Sequence, residues 1–231
     1  MPLLVGGLLL GLLSLTSCGK GFTEDKEQSE GEIRQEEEEE FKFQVRFRPL
    51  NLKVGSYTGW GSLSVFENQF WARIKVQGPQ TGEMHAQYLH TGERCPSQRD
   101  DLNADGYLDF REAQRVVGDI LIPLDGNLTS QMKGLFDFPL INANNIYYYS
   151  QATSYTTMLD DLRREDSFPN DFITKLARGE ELNPGARVVV IYGVSSNRRL
   201  PNTVASYDAY PAQATLPISC GVVYGGTPAE I

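Results

Sequence analysis

Phe41-Lys42-Phe43-Gln44-Val45-Arg46-Phe47 alternates apolar and polar side chains without a break. Successive side chains of an extended chain point to opposite faces, so period two marks a half-buried β-strand. Phe70-Trp71-Ala72-Arg73-Ile74-Lys75-Val76 repeats the pattern, and shorter β-rich runs follow at Ile120 to Leu124, Tyr147 to Tyr155, Arg187 to Val194 and Ala214 to Val223. Gly and Pro punctuate nearly all of the intervals, as turns require. Only Thr157 to Arg164, and Asp171 to Arg178 after Pro169, read as helical. The expectation is a mainly β domain, a sandwich or barrel of short strands with long loops and one or two short helices. At 231 residues and 40% hydrophobic, the chain can bury one good core.

One loop in this β pattern carries chemistry. Asp101-Leu102-Asn103-Ala104-Asp105-Gly106-Tyr107-Leu108-Asp109-Phe110-Arg111-Glu112 fills every slot of an EF-hand calcium loop. Ca²⁺ is a hard cation that takes six to eight oxygens, and alternating ligand and non-ligand residues can turn those oxygens inward. Asp101, Asn103 and Asp105 would each give a side-chain oxygen and Tyr107 its carbonyl. Asp109 would act through a water, and Glu112 would clamp the ion with both carboxylate oxygens. Gly106 stands at the sharp bend, and Leu108 would anchor the loop to a core. Without an ion, four carboxylates crowd together, so the apo loop should be mobile. No helix can be read before the loop, because Cys95-Pro96-Ser97 interrupts it, and Glu112 to Val117 allows one exit turn. This is a single loop inserted in a β-fold, not a paired sensor that opens a groove between helices. A structural ion is the expected cofactor.

The net charge of -9 is concentrated in one tract. Residues 24–40 hold ten acids and two bases, whereas residues 41–231 hold twenty acids and eighteen bases. No basic patch is apparent along the chain, so nucleic acid is not an expected partner. The acidic tract, with its Gly, Ser and Gln, cannot bury a core and repels itself into an extended tether.

Leu3 to Leu15 is an apolar run too short to span a bilayer comfortably, and small residues follow it, which is the architecture of a signal peptide. Its end, Leu15-Thr16-Ser17-Cys18, resembles the lipobox of bacterial lipoproteins, in which the Cys is diacylated and becomes the mature N-terminus. No Lys or Arg precedes the run, a departure from the usual basic start, and an ordinary secretory signal with an incidental Cys is the alternative. The expected organisation is a signal peptide at 1–17, a lipidated acidic linker at 18–40 and a β-domain at 41–231. Export and anchoring to a bacterial membrane through Cys18 follow. Gly19 in place of Asp points to the outer membrane in a Gram-negative cell. In an oxidising compartment the two remaining cysteines, Cys95 and Cys220, stand as a disulfide or as two separate buried thiols, and the disulfide is favoured.

Three segments carry a family resemblance. Val76-Gln77-Gly78 is followed by Gly82, His85, Tyr88, Leu89 and His90, with Cys95 beyond. Arg187-Val188-Val189-Val190-Ile191-Tyr192-Gly193-Val194 and Ile218-Ser219-Cys220-Gly221-Val222-Val223 are the other two. Together they resemble the Cu,Zn superoxide dismutases and their chordin-type (CHRD) relatives. The resemblance is closer to exported bacterial proteins that combine this frame with an EF-type loop after the first Cys. It implies a Greek-key β-domain over roughly residues 41–225 and supports pairing Cys95 with Cys220.

The departures bear on function. In the resemblance, Tyr88 and Tyr192 stand at two copper-ligand positions, and only His90 matches a ligand. The chain has two His in all, and residues 85 and 90 should face opposite ways on a strand. A redox copper site wants several imidazoles around one metal. Pro217 replaces the family's catalytic Arg, and the calcium loop replaces its zinc loop. The resemblance thus implies that calcium takes the scaffolding role of zinc here, and no catalytic residues are expected.

Other chemistry finds little support. No Gly-x-Ser-x-Gly elbow is present. Asp160-Asp161 and Glu180-Glu181 read as solvated surface rather than a glycosidase pair. Tyr147-Tyr148-Tyr149 reads as a strand with rings on both faces, although it could line a binding surface. Arg198-Arg199 is a weak candidate contact for an acidic partner. Asn127-Leu128-Thr129 is a glycosylation sequon of little meaning in a bacterium. The expectation is a non-enzymatic, calcium-binding, lipid-anchored envelope protein with an unknown envelope or extracellular partner. The alternatives are a metal-handling or dismutase-like enzyme keeping a partial copper site, and an adhesion or partner-recognition module.

Overall fold

The structure, a computed structural model, describes residues 41–78, 84–129, 138–163, 174, 176–177 and 179–228. The expected signal peptide (1–17), Cys18 and the expected linker (18–40) lie outside these residues, as does most of the helix expected over Asp171 to Arg178.

Eight antiparallel strands form one continuous sheet: β1 (Phe41–Pro49), β2 (Thr58–Phe66), β3 (Gln69–Gln77), β4 (Gln87–His90), β5 (Ile120–Pro123), β6 (Ile146–Ser154), β7 (Val188–Tyr192) and β8 (Pro217–Pro228). Their order is β5-β4-β7-β8-β1-β2-β3-β6. Chain-adjacent strands form the β1-β2-β3 meander, while β3–β6, β4–β7 and β1–β8 are joined by long connections, as in Greek-key folds. The long β8 belongs to both halves, pairing with β7 through residues 217–222 and with β1 through residues 219–228. The helices are short: α1 (Phe110–Val117), α2 (Tyr155–Arg163) and α3 (Ala212–Thr215). The domain is mainly β, as the alternation predicts.

The sheet curls so that both halves line one core. Val45, Phe47, Leu63, Phe70, Ile74 and Val76 from one side meet Leu89, Leu121, Ile122, Val189 and Ile191 from the other. On β1 and β3 the alternation is clean, because one face is buried and the other solvated. On β4, β5 and β7 every residue is buried, so both faces are covered. The second cover is a smaller apolar cluster in which Tyr88, Val188, Val190 and Tyr192 pack against Phe110 and Val117 of α1. The segment between β4 and β5 thus roofs the outer face of this half.

Strand β2 has no counterpart in the sequence reading. Its inward positions include Gly59 and Gly61, which blank out the apolar period. They are small because β3 lies against them: a Cβ on Gly61 would stand 2.8 Å from the Arg73 carbonyl oxygen. Likewise, the lack of a basic patch along the chain does not carry over to the surface. Lys42, Arg46 and Arg48 of β1 and Arg73 and Lys75 of β3 alternate with core residues, and the register sets them on one solvent face, on either side of β2.

Candidate metal loop and the His90 centre

A single 3-10 turn, Gln98–Asp100, leads into the loop and is closed by a Ser97–Asp100 capping box. The loop then turns through left-handed conformations at Ala104 (φ 56°) and Gly106 (φ 81°). Position 106 favours Gly because its φ is strained for an L side chain, and the Lys53 ammonium lies over it. Lys53 is held there by the Asp105 carbonyl at 3.2 Å and by the Tyr107 ring, 4.8 Å from its centroid.

Each sequence-predicted ligand can be placed. Asp101 Oδ2 accepts from the Gly106 N–H (2.8 Å) and from Gln98 Nε2 (3.0 Å). Asn103 Oδ1 accepts from the Asp105 N–H, and Asp105 Oδ1 from the Tyr107 N–H. These bonds leave Asp101 Oδ1 and Asp105 Oδ2 buried with no hydrogen-bond partner. Burial by itself would raise the Asp105 pKa. The polar side chains of Thr203 and Asn103, the Tyr107 N–H and the charge of Lys53 outweigh it and hold the carboxyl below its ordinary value. Glu112 is buried and bridges the loop. Its Oε1 accepts from the Leu102 and Asn103 N–H groups and its Oε2 from that of Asp109. Asp109 caps α1 through the Glu112 N–H and reaches the Ala205 N–H with its other oxygen. These hydrogen bonds close the loop on itself without drawing its four carboxylates together. Among the described residues, no three His, Cys, Asp or Glu side chains gather into a metal-sized group. Asn103 and the Tyr107 carbonyl belong to the candidate set as well.

A loop with no paired partner needs other support, and Asn51 supplies it. Its side chain accepts from the Leu108 N–H (2.8 Å) and donates to the Leu108 carbonyl (2.9 Å) and the Pro217 carbonyl (2.8 Å). One amide side chain thereby stands in for the peptide group of a neighbouring strand. Leu108, the apolar eighth residue, is 1% exposed and anchors the loop as expected. The Cys95–Cys220 disulfide ties the segment before the loop to β8, with a Cα–Cα distance of 5.8 Å. Asn51 escapes a reading of the sequence because its partners lie 57 and 166 residues away.

Beneath this roof, Tyr88, His90 and Tyr192 meet with ring centroids 5.8–6.2 Å apart. Both His90 nitrogens are engaged, Nδ1 with the Gly118 carbonyl at 3.2 Å and Nε2 with Tyr192 Oη at 3.0 Å. A carbonyl only accepts, so Nδ1 carries the proton and the Tyr192 hydroxyl donates to Nε2. Burial pushes the imidazole down to about 4, against the pull of the Gly118 and Asp119 carbonyls. Burial also raises the Tyr88 and Tyr192 phenols far above their ordinary value, so both stay neutral. His85 packs on the opposite face, against Tyr57 and Tyr147, and does not join His90.

The chain matches no protein-family model and no curated protein sequence.

Proposed function

We propose that the 101–112 loop binds one Ca²⁺ and that the ion pins the roof over the β4-β5-β7-β8 half of an exported, lipid-anchored, non-enzymatic β-domain of superoxide dismutase/CHRD type. The observation that carries this reading is the pair of buried carboxylate oxygens, Asp101 Oδ1 and Asp105 Oδ2, that accept no hydrogen bond. A buried acceptor without a partner costs about 1–3 kcal/mol, more when charged, and a divalent cation would satisfy both. Asn103 Oδ1 and Glu112 Oε2 each keep a lone pair beside one N–H partner and remain able to ligate, whereas Glu112 Oε1 already accepts two N–H bonds. As in extracellular modules, a Kd of about 10⁻⁴–10⁻³ M is expected.

The non-enzymatic part rests on the His90 centre. The Tyr192 hydroxyl occupies the imidazole lone pair that a metal would take, and the neighbouring donors are neutral phenols. Calcium titration followed by thermal unfolding tests the proposal. Calcium should raise Tm, and both Glu112→Gln and Asp101→Ala should bring the melting curve in calcium down to the chelated one. Curves unchanged by calcium, or stoichiometric copper in the purified protein, would sink it.

A further inference from the structure

Five cations share the solvent face of β8-β1-β2-β3-β6, and those five strands contain no Asp or Glu. The register sets Arg46 opposite Trp60, Trp60 opposite Lys75 and Lys75 opposite Tyr148, a row of alternating charge and ring. Trp60 is 54% exposed, Tyr148 60% and Tyr224 49%, a large aromatic area for a solvated surface. A groove of about 1030 Å³ runs along this face, with Lys42, Arg46, Arg48 and Arg73 on its walls and Trp60 and Tyr224 beside them. The Arg73 guanidinium lies over the Trp71 ring, 4.6 Å from its centroid, which holds it in place. No ion pair among the described residues involves any of the five cations. Like charges gathered on one face of an acidic chain destabilise the free protein slightly, so their grouping is better explained by a ligand than by the fold.

We propose that this groove binds an acidic polysaccharide, a chain of carboxylated sugar rings. Sugar rings present apolar C–H faces, hydroxyls and, here, carboxylates, and the groove carries a partner for each. Trp60 and Tyr224 offer stacking surfaces, Gln44, Ser62 and Thr58 offer hydrogen bonds, and the guanidinium and ammonium groups pair with carboxylates. A recessed groove suits a threadlike ligand better than a flat bilayer. The surface is independent of the calcium loop.

The two tryptophans of the chain, Trp60 and Trp71, both stand on or beside this face, so intrinsic fluorescence reports on it. Hyaluronan oligosaccharides added to the full chain, with chelator present, should change the emission saturably and less so at high salt. Carboxyl-reduced hyaluronan should bind about tenfold more weakly or worse, as should Trp60→Ala and the pair Arg46→Gln/Arg73→Gln, without a change in Tm. No response to hyaluronan, or affinity untouched by these variants, would overturn the proposal. Tighter binding of phosphatidylglycerol vesicles or of oligothymidylate would overturn it as well.

Discussion

Asn51 shows how one side chain can replace a structural element. It satisfies both peptide groups of Leu108 and the carbonyl of Pro217 from a site 2% exposed. Asn51→Leu would strand three buried polar groups at about 1–3 kcal/mol each, before relaxation. Urea unfolding of that variant should show a loss of several kcal/mol and weaker calcium stabilisation. Asn51→Asp, which keeps the acceptor but not the donor, should also be destabilised. His90 adds a pH dependence. Its folded value of about 4 lies below the ordinary 6.5, so the unfolded chain takes up a proton that the folded one refuses. Stability from this group is fully present above pH 6.5 and is lost as pH falls toward 4, by up to about 3 kcal/mol. Urea midpoints in chelator, compared with His90→Gln, check this. An equal acid slope in both proteins would show that His90 is not the cause.

At the scale of elements, the strands and the loop depend on each other. Strands β4, β5 and β7 are apolar on both faces, so they need the α1 segment as a cover. The cover is short of helix and holds itself by caps, a disulfide and the proposed ion. The bridge closes a loop of 125 residues, worth up to about 4–5 kcal/mol in the chain-entropy model. Cys95→Ser/Cys220→Ser should therefore unfold at lower denaturant concentration. The variant should also gain more from calcium than the native chain, because the ion is left as the main clamp on the loop. Equal calcium gains in both proteins would separate the disulfide from the metal site energetically.

For the whole molecule, the acidic tract and the basic face are opposite features of one chain. The tract packs ten acids into residues 24–40, whereas the five cations of the face stand an even number of residues apart within β1 and within β3. The proposed membrane anchor at Cys18 is tested by substitution. Cys18→Ser should move the protein from the membrane fraction to the soluble fraction after cell lysis. Retention of that variant on the membrane would refute the anchor.

Period-two alternation and the spacing of oxygen-bearing residues at 101–112 are local properties, and the β class and the candidate calcium loop were legible from them. So were α2 and the exit turn of α1, whose 3.6-residue period needs no distant partner. The presence of β2 was not, because Gly59 and Gly61 remove the apolar signal where β3 crowds them. Nor was the clamp by Asn51, the Tyr192–His90 hydrogen bond or the basic groove. Each of these joins residues far apart in the chain, and only the register of the paired strands decides which side chains become neighbours.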